Sequence, residues 1–133
     1  MERLPKRVLV VDDNADARNS IRMLLEMEGF AVCVAANGRE AIELHRRAPV
    51  DVVITDIFMP EKDGIETIHE IRASYPSVQI AVMSGSQKAR LESLKIVARE
   101  LGVSTFLLKP VDPQVLIETV KALANLSTAH DGA

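Results

Sequence analysis

Apolar residues fall along this chain in two alternating rhythms. Short continuous runs at residues 8–11, 31–35, 52–55, 79–83 and 103–108 read as strands buried on both faces, because a half-exposed strand would alternate apolar with polar positions. Between them lie longer stretches with apolar residues every three or four positions, the helical spacing. These predict helices over 15–28 (stripe Ile21, Leu24, Leu25), 39–47 (Ala41, Ile42, Leu44), 65–74 (Ile68, Ile71), 88–101 (Leu91, Leu94, Val97, Ala98, Leu101) and 114–126 (Leu116, Val120, Leu123, Ala124). Gly29 stands where a C-terminal cap would end the first helix, and Pro49 lies just beyond the second. Residues 59–64 are rich in turn formers, and the small, polar residues 127–133 read as a frayed tail.

Five strands alternating with five helices imply right-handed βαβ units and an α/β architecture, a parallel sheet covered on both faces. There is no internal repeat, low-complexity tract or linker, so the expectation is one domain over 1–133 with its core at about 6–126. Met23 and Met27 read as packing residues. His45, His69 and His130 show no ligand spacing and read as solvated.

Composition narrows the function classes. The 133 residues are 47% hydrophobic and carry a formal net charge of −3 with no basic stripe, and only 3% are aromatic. Neither the electrostatic footprint of a nucleic-acid binder nor a base-stacking surface is visible, so no direct nucleic-acid partner is expected. No apolar run approaches the roughly 20 residues that span a bilayer, and the run after the charged start is too short for a secretory signal. With the lone Cys33 unable to pair within the chain, a reducing, cytoplasmic setting is expected.

The informative polar residues stand at strand ends. In an open parallel sheet, ligands bind beyond the carboxyl ends of the strands. Here the first strand ends in Asp12-Asp13, the third in Asp56, the fourth in Ser84 and the fifth in Lys109. Three carboxylates on one edge repel one another unless a cation sits among them. Mg²⁺ suits such a place, because it takes oxygen ligands, keeps several waters and is commonly held by one or two carboxylates beside a phosphate. A carboxylate can attack phosphorus to form an aspartyl phosphate, with an ion, an ammonium and a hydroxyl left to neutralise the phosphoryl oxygens. Taken singly, each residue has a plainer explanation. Asp12-Asp13-Asn14 could cap the first helix, Ser84-Gly85-Ser86 could be a turn, and Lys109-Pro110 a surface loop. Those explanations leave the convergence at four strand ends unaccounted for.

Over about residues 6–126 the chain closely resembles the receiver domain of response regulators in two-component signalling. The motifs that carry the resemblance are Val8-Leu9-Val10-Val11-Asp12-Asp13, Asp56-Ile57-Phe58-Met59-Pro60 with Asp63-Gly64, Met83-Ser84-Gly85, and Phe106-Leu107-Leu108-Lys109-Pro110. The resemblance implies a flavodoxin-like, doubly wound (βα)5 fold with strand order 2-1-3-4-5. It implies that Asp56 is the phosphoacceptor, and that Mg²⁺, with Mn²⁺ as a substitute, is held by Asp13, by Asp12 largely through water, by Asp56 and by the Phe58 backbone carbonyl. Lys109 and Ser84 would contact the phosphoryl group, Ser84 and Phe106 would form the switch, and the Lys109–Pro110 bond would be cis. Phe58 and Ser86 would tune the lifetime of the phosphoryl group, bulky Phe58 by shielding Asp56 from water.

The implied partners are a histidine kinase or histidine phosphotransfer protein upstream. Downstream would be a target protein or a second copy, met through the last two helices and last strand. The chain would be a signalling switch that catalyses only its own phosphorylation and dephosphorylation. It would be either free-standing or part of a larger regulator. The stretch from Ser84 to Lys109 is a few residues longer than usual for the family, which bears on the shape of the fourth helix. Two other readings compete. An aspartyl-phosphate phosphohydrolase would call for an Asp-x-Asp pattern after the first strand, where Asp12-Asp13-Asn14 stands. A flavin binder would call for sandwiching aromatics, and Tyr75 is the only tyrosine in a chain without tryptophan. A receiver that docks without being phosphorylated is a third.

Overall fold

A computed structural model describes residues 4–57, 64–85, 88–103 and 105–126. The elements run β1 (Arg7–Val11), α1 (Ala15–Met27), β2 (Ala31–Ala35), α2 (Gly38–Arg47), β3 (Val52–Asp56), α3 (Gly64–Ser74), β4 (Gln79–Ser84), α4 (Lys88–Glu100), β5 (Thr105–Leu108) and α5 (Pro113–Leu126). All pairings are parallel, in the order β2-β1-β3-β4-β5. This is the flavodoxin-like arrangement the resemblance implied. The last strand begins two residues later than the apolar run suggested, although Val103 is still buried.

Alternate residues of the central strands feed two cores. Leu9, Val11, Val53, Ile80 and Val82 pack on one face with Ala41, Ile68, Ile71 and Ala98 from α2, α3 and α4. Val8, Val10, Val52, Ile54, Ala81 and Met83 pack on the other with Ile21, Leu25, Leu116 and Val120 from α1 and α5. Each fully buried Val, Leu or Ile contributes about 1.5–3 kcal/mol, so the middle of the sheet is the rigid part of the molecule.

Local chemistry sets the helix ends. Gly29 adopts φ 93°, with its N–H on Glu26 O (3.0 Å) and the Phe30 N–H on Leu25 O (3.2 Å), the paired bonds of a left-handed glycine cap. Gly102 (φ 90°) repeats the device after α4. Arg72 of α3 ties this second end down: it donates to Leu101 O (3.1 Å), Pro76 O (2.8 Å) and Val78 O (2.6 Å), joining α3, the entry to β4 and the last turn of α4.

Several sequence expectations need correction. His45 is buried, not solvated: its Nδ1 accepts from the Val50 N–H (3.0 Å) and its ring meets Tyr75 edge to face at 4.2 Å. It shares the buried face of α2 with Gly38 and Ala41. Burial, aided by the charge of Arg7, lowers its pKa to about 4. Met23 and Met27 do not pack: they are 60% and 81% exposed on the outer face of α1. Val97 is also exposed, while Ala98 beside it is buried. The side chains of Leu91 and Leu94 lie outside the described residues, as do Phe58, Ser86, His130 and the tail. Among the described residues no helix is long and apolar enough to cross a membrane.

Candidate functional site

Strand order reverses at β1, where the chain passes out to β2 on one side and then crosses back to β3 on the other, so a crevice opens beyond the carboxyl ends of β1 and β3. Asp12 and Asp13 follow β1, and Asp56 closes β3. One oxygen from each of the three carboxylates lies within 4.8 Å of the others. Asp12 is fully buried, Asp56 nearly so, and Asp13 is exposed at the mouth.

The run Asp12-Asp13-Asn14 divides its labour. Asn14 caps α1, its side-chain oxygen accepting from the Ala17 N–H at 2.9 Å. The Asp12 Oδ1 accepts from the Asn14 N–H (2.9 Å), which fixes its carboxylate, and Arg18 of α1 donates to the Asp12 carbonyl at 2.8 Å. The cap alternative therefore belongs to Asn14, and the two acids stay in the crevice.

Lys109 crosses the sheet edge to join them. Its Nζ donates to Asp12 Oδ2 (2.8 Å) and Asp56 Oδ2 (2.6 Å). Burial works against the ammonium, but the hydrogen bonds and negative charges of Asp12 and Asp56 outweigh it and hold the Lys109 pKa above the ordinary lysine value. The Lys109 N–H donates to Ser84 O (2.8 Å), and the Lys109–Pro110 bond is cis. Ser84 lies buried at the end of β4 with its hydroxyl donating to Gly85 O (3.0 Å), beside the acids but not bonded to them. Phe106 stands half-buried on β5, against the core beneath α4.

Thr55, which the sequence left in the background, and Gly64, which it named only as part of a motif, also shape the site. Thr55 is fully buried and its hydroxyl donates to the Asp56 carbonyl at 2.9 Å. Gly64 begins α3 pressed onto β3: a Cβ there would stand 2.6 Å from Ile57 Cα and 2.7 Å from Asp56 O. Only glycine fits, a requirement hidden behind the ordinary turn composition of the segment. Asp51, also missed, is buried at the opposite edge of the sheet, where its Oδ2 accepts from the Arg7 N–H at 2.8 Å. It is a structural clasp.

The oxygen set fits a hard divalent ion. Three carboxylates against one ammonium leave negative charge in excess, and oxygens around one Mg²⁺ sit about 4 Å apart across its octahedron. A spread of 4.8 Å therefore suits an ion held partly through water.

The family model of the response regulator receiver domain matches residues 8–121. The chain is 36% identical over 122 residues to the chemotaxis protein CheY of Thermotoga maritima, covering 90% of this chain and 98% of that one. It is 32% identical to the response regulator MprA of Mycolicibacterium vanbaalenii over 130 residues, 98% of this chain but 55% of that protein. Thus it spans about half the length of that relative. Among solved structures, it is similar to a response regulator receiver domain protein from Clostridium thermocellum (TM-score 0.82, 29% identity, 90% of this chain and 94% of that one). It is likewise similar to the chemotaxis response regulator CheY4 of Vibrio cholerae (TM-score 0.80, 29% identity, 90% and 98%).

Proposed function

Because the chain belongs to the response regulator receiver domain family, whose members are signalling switches of two-component systems, we propose that it accepts a phosphoryl group on Asp56 from a histidine kinase or histidine phosphotransfer protein. The observation that carries this reading is the Asp12, Asp13 and Asp56 oxygens gathered within 4.8 Å, with Lys109 bonded to two of the three acids.

In the transfer, an Asp56 carboxylate oxygen attacks phosphorus, a new O–P bond forms, and the donor's P–N or P–O bond breaks with its electron pair leaving on the donor. Lys109, already on Asp56 Oδ2, turns its ammonium toward an incoming phosphoryl oxygen. Thr55 and Gly64 fix the backbone at Asp56, so the nucleophile arrives oriented, which is most of what phosphoryl transfer asks of a protein. Asp12, Asp13, Asp56 and the Phe58 carbonyl would hold Mg²⁺ or Mn²⁺, which neutralises charge on the transferred group.

A phosphoryl group offers Ser84 a new hydrogen-bond acceptor in only one of two arrangements, so it shifts a population toward the state in which Ser84 and Phe106 have moved. The output face would be α4, β5 and α5. Support comes from the large apolar side chains exposed there: Ile96, Val97, Leu108 and Val115. A target protein or a second copy of the chain would cover them. The activity is then a switch acting on itself, in the cytoplasm where such relays operate.

The test is phosphorylation by acetyl phosphate with and without Mg²⁺. The native protein is expected to label only with the ion, and Asp56→Asn not at all. Labelling that persists in the variant would place the acceptor elsewhere.

A further inference from the structure

Two cations of α4 close over the ring of Phe106: the Lys95 Nζ and the Arg99 guanidinium carbon each lie 5.5 Å from its centroid. Both distances are within the range where a cation is attracted by the face of an aromatic ring. The two residues are one helical turn apart, so they present their charges from one face of α4. The helix end that carries them is pinned, because Arg72 bonds Leu101 O and Gly102 caps the last turn. Lys95 is well covered, 22% exposed at its side chain, with Glu92 Oε1 3.7 Å from its ammonium. Phe106 itself has no hydroxyl to anchor it by a hydrogen bond. Its ring is held by the core beneath it and these charges beside it.

We propose that Lys95 and Arg99 are positioning residues that hold Phe106 in its resting arrangement and so set how readily the switch is thrown. The inference rests on the reading of Asp56 as phosphoacceptor and of Phe106 as its aromatic relay. Because α4 is fastened at its C-terminal end, rotation of the ring away from the cations gives up both contacts, with no compensating movement of the helix. A state disfavoured in this way lowers the apparent affinity of any ligand that requires it, by the fraction of molecules already in that state.

The test uses beryllofluoride with Mg²⁺ as a phosphoryl mimic, titrated into the full chain. Lys95→Gln combined with Arg99→Gln is expected to tighten its binding roughly 5- to 30-fold, the combined weight of two cation–ring contacts. In a Phe106→Leu background the same pair of substitutions is expected to be silent, and Lys95→Arg to behave as native. The sign separates this role from simple charge attraction, since removing two positive charges would otherwise weaken binding of an anion. Weaker or unchanged binding, or equal tightening with and without the Phe106 ring, overturns the clamp while leaving Asp56 as the acceptor. Binding equally strong to Asp56→Asn overturns the underlying reading, and the clamp falls with it. Ring resonances of Phe106 in the unliganded protein give a second readout: they should shift in the double variant, and an unchanged spectrum overturns the clamp.

Discussion

Lowering the pH from 7 to 5 is expected to cost the fold about 2 kcal/mol through His45 alone. The imidazole is buried, its Nδ1 is committed to the Val50 N–H, and burial with the charge of Arg7 holds its folded-state pKa at about 4 against an ordinary value of 6.5. The unfolded chain therefore binds a proton that the folded chain refuses. Between those two values stability falls as the pH falls, and below about 4 both states are protonated and the loss stops growing. Each factor of ten is worth about 1.4 kcal/mol, which gives about 2 kcal/mol at pH 5 and about 3 kcal/mol at pH 4. Urea unfolding of the native protein and His45→Gln, each at pH 7 and pH 5, isolates this contribution. The variant starts less stable, having lost the ring contact with Tyr75, but should lose about 2 kcal/mol less on acidification. Parallel losses in both proteins would refute the reasoning.

Gly64→Ala is expected to cost about 1–3 kcal/mol, the usual range for forcing a methyl group against packed atoms, and to slow phosphorylation by acetyl phosphate because the backbone of Asp56 must move; thermal melts and a labelling time course read the two effects. Asp13→Asn removes a carboxylate that is exposed and not part of the core, so it should leave the melting temperature without Mg²⁺ nearly unchanged while moving the midpoint of stabilisation by Mg²⁺ up roughly tenfold, about 1.4 kcal/mol. Phe58→Asn should hasten loss of the phosphoryl group from labelled protein, measured as its decay rate; an unchanged or slower decay removes the idea that Phe58 screens Asp56 from water.

Strand ends were the most legible part of this chain. A continuous run such as 52–55 followed by Asp56 leaves a carboxylate only one place to stand once the sheet is parallel, and Lys109 after residues 103–108 is fixed the same way. What the sequence concealed depends on contacts between distant segments. The closeness of Gly64 to the backbone of β3 is a matter of how α3 settles, and nothing in a turn-rich composition announces it. His45 did leave a trace, its spacing from Gly38 and Ala41 on one face of α2, but its imidazole reads as polar until a partner such as the Val50 N–H is known. Met23 and Met27 erred the other way: their chemistry suits a core, yet they fall on the side of α1 opposite Ile21 and Leu25. Val97 shows the limit of a stripe drawn at three- and four-residue spacing, since the helix turned it past the edge of the core while keeping Ala98 inside.

The position of Lys109 between Asp12 and Asp56 means that the pocket is not a bare nest of anions. The chain supplies its own countercharge, bonded to two of the three acids. On the reading proposed above, an entering ion or phosphoryl group would share Asp56 with a tethered ammonium that cannot diffuse away.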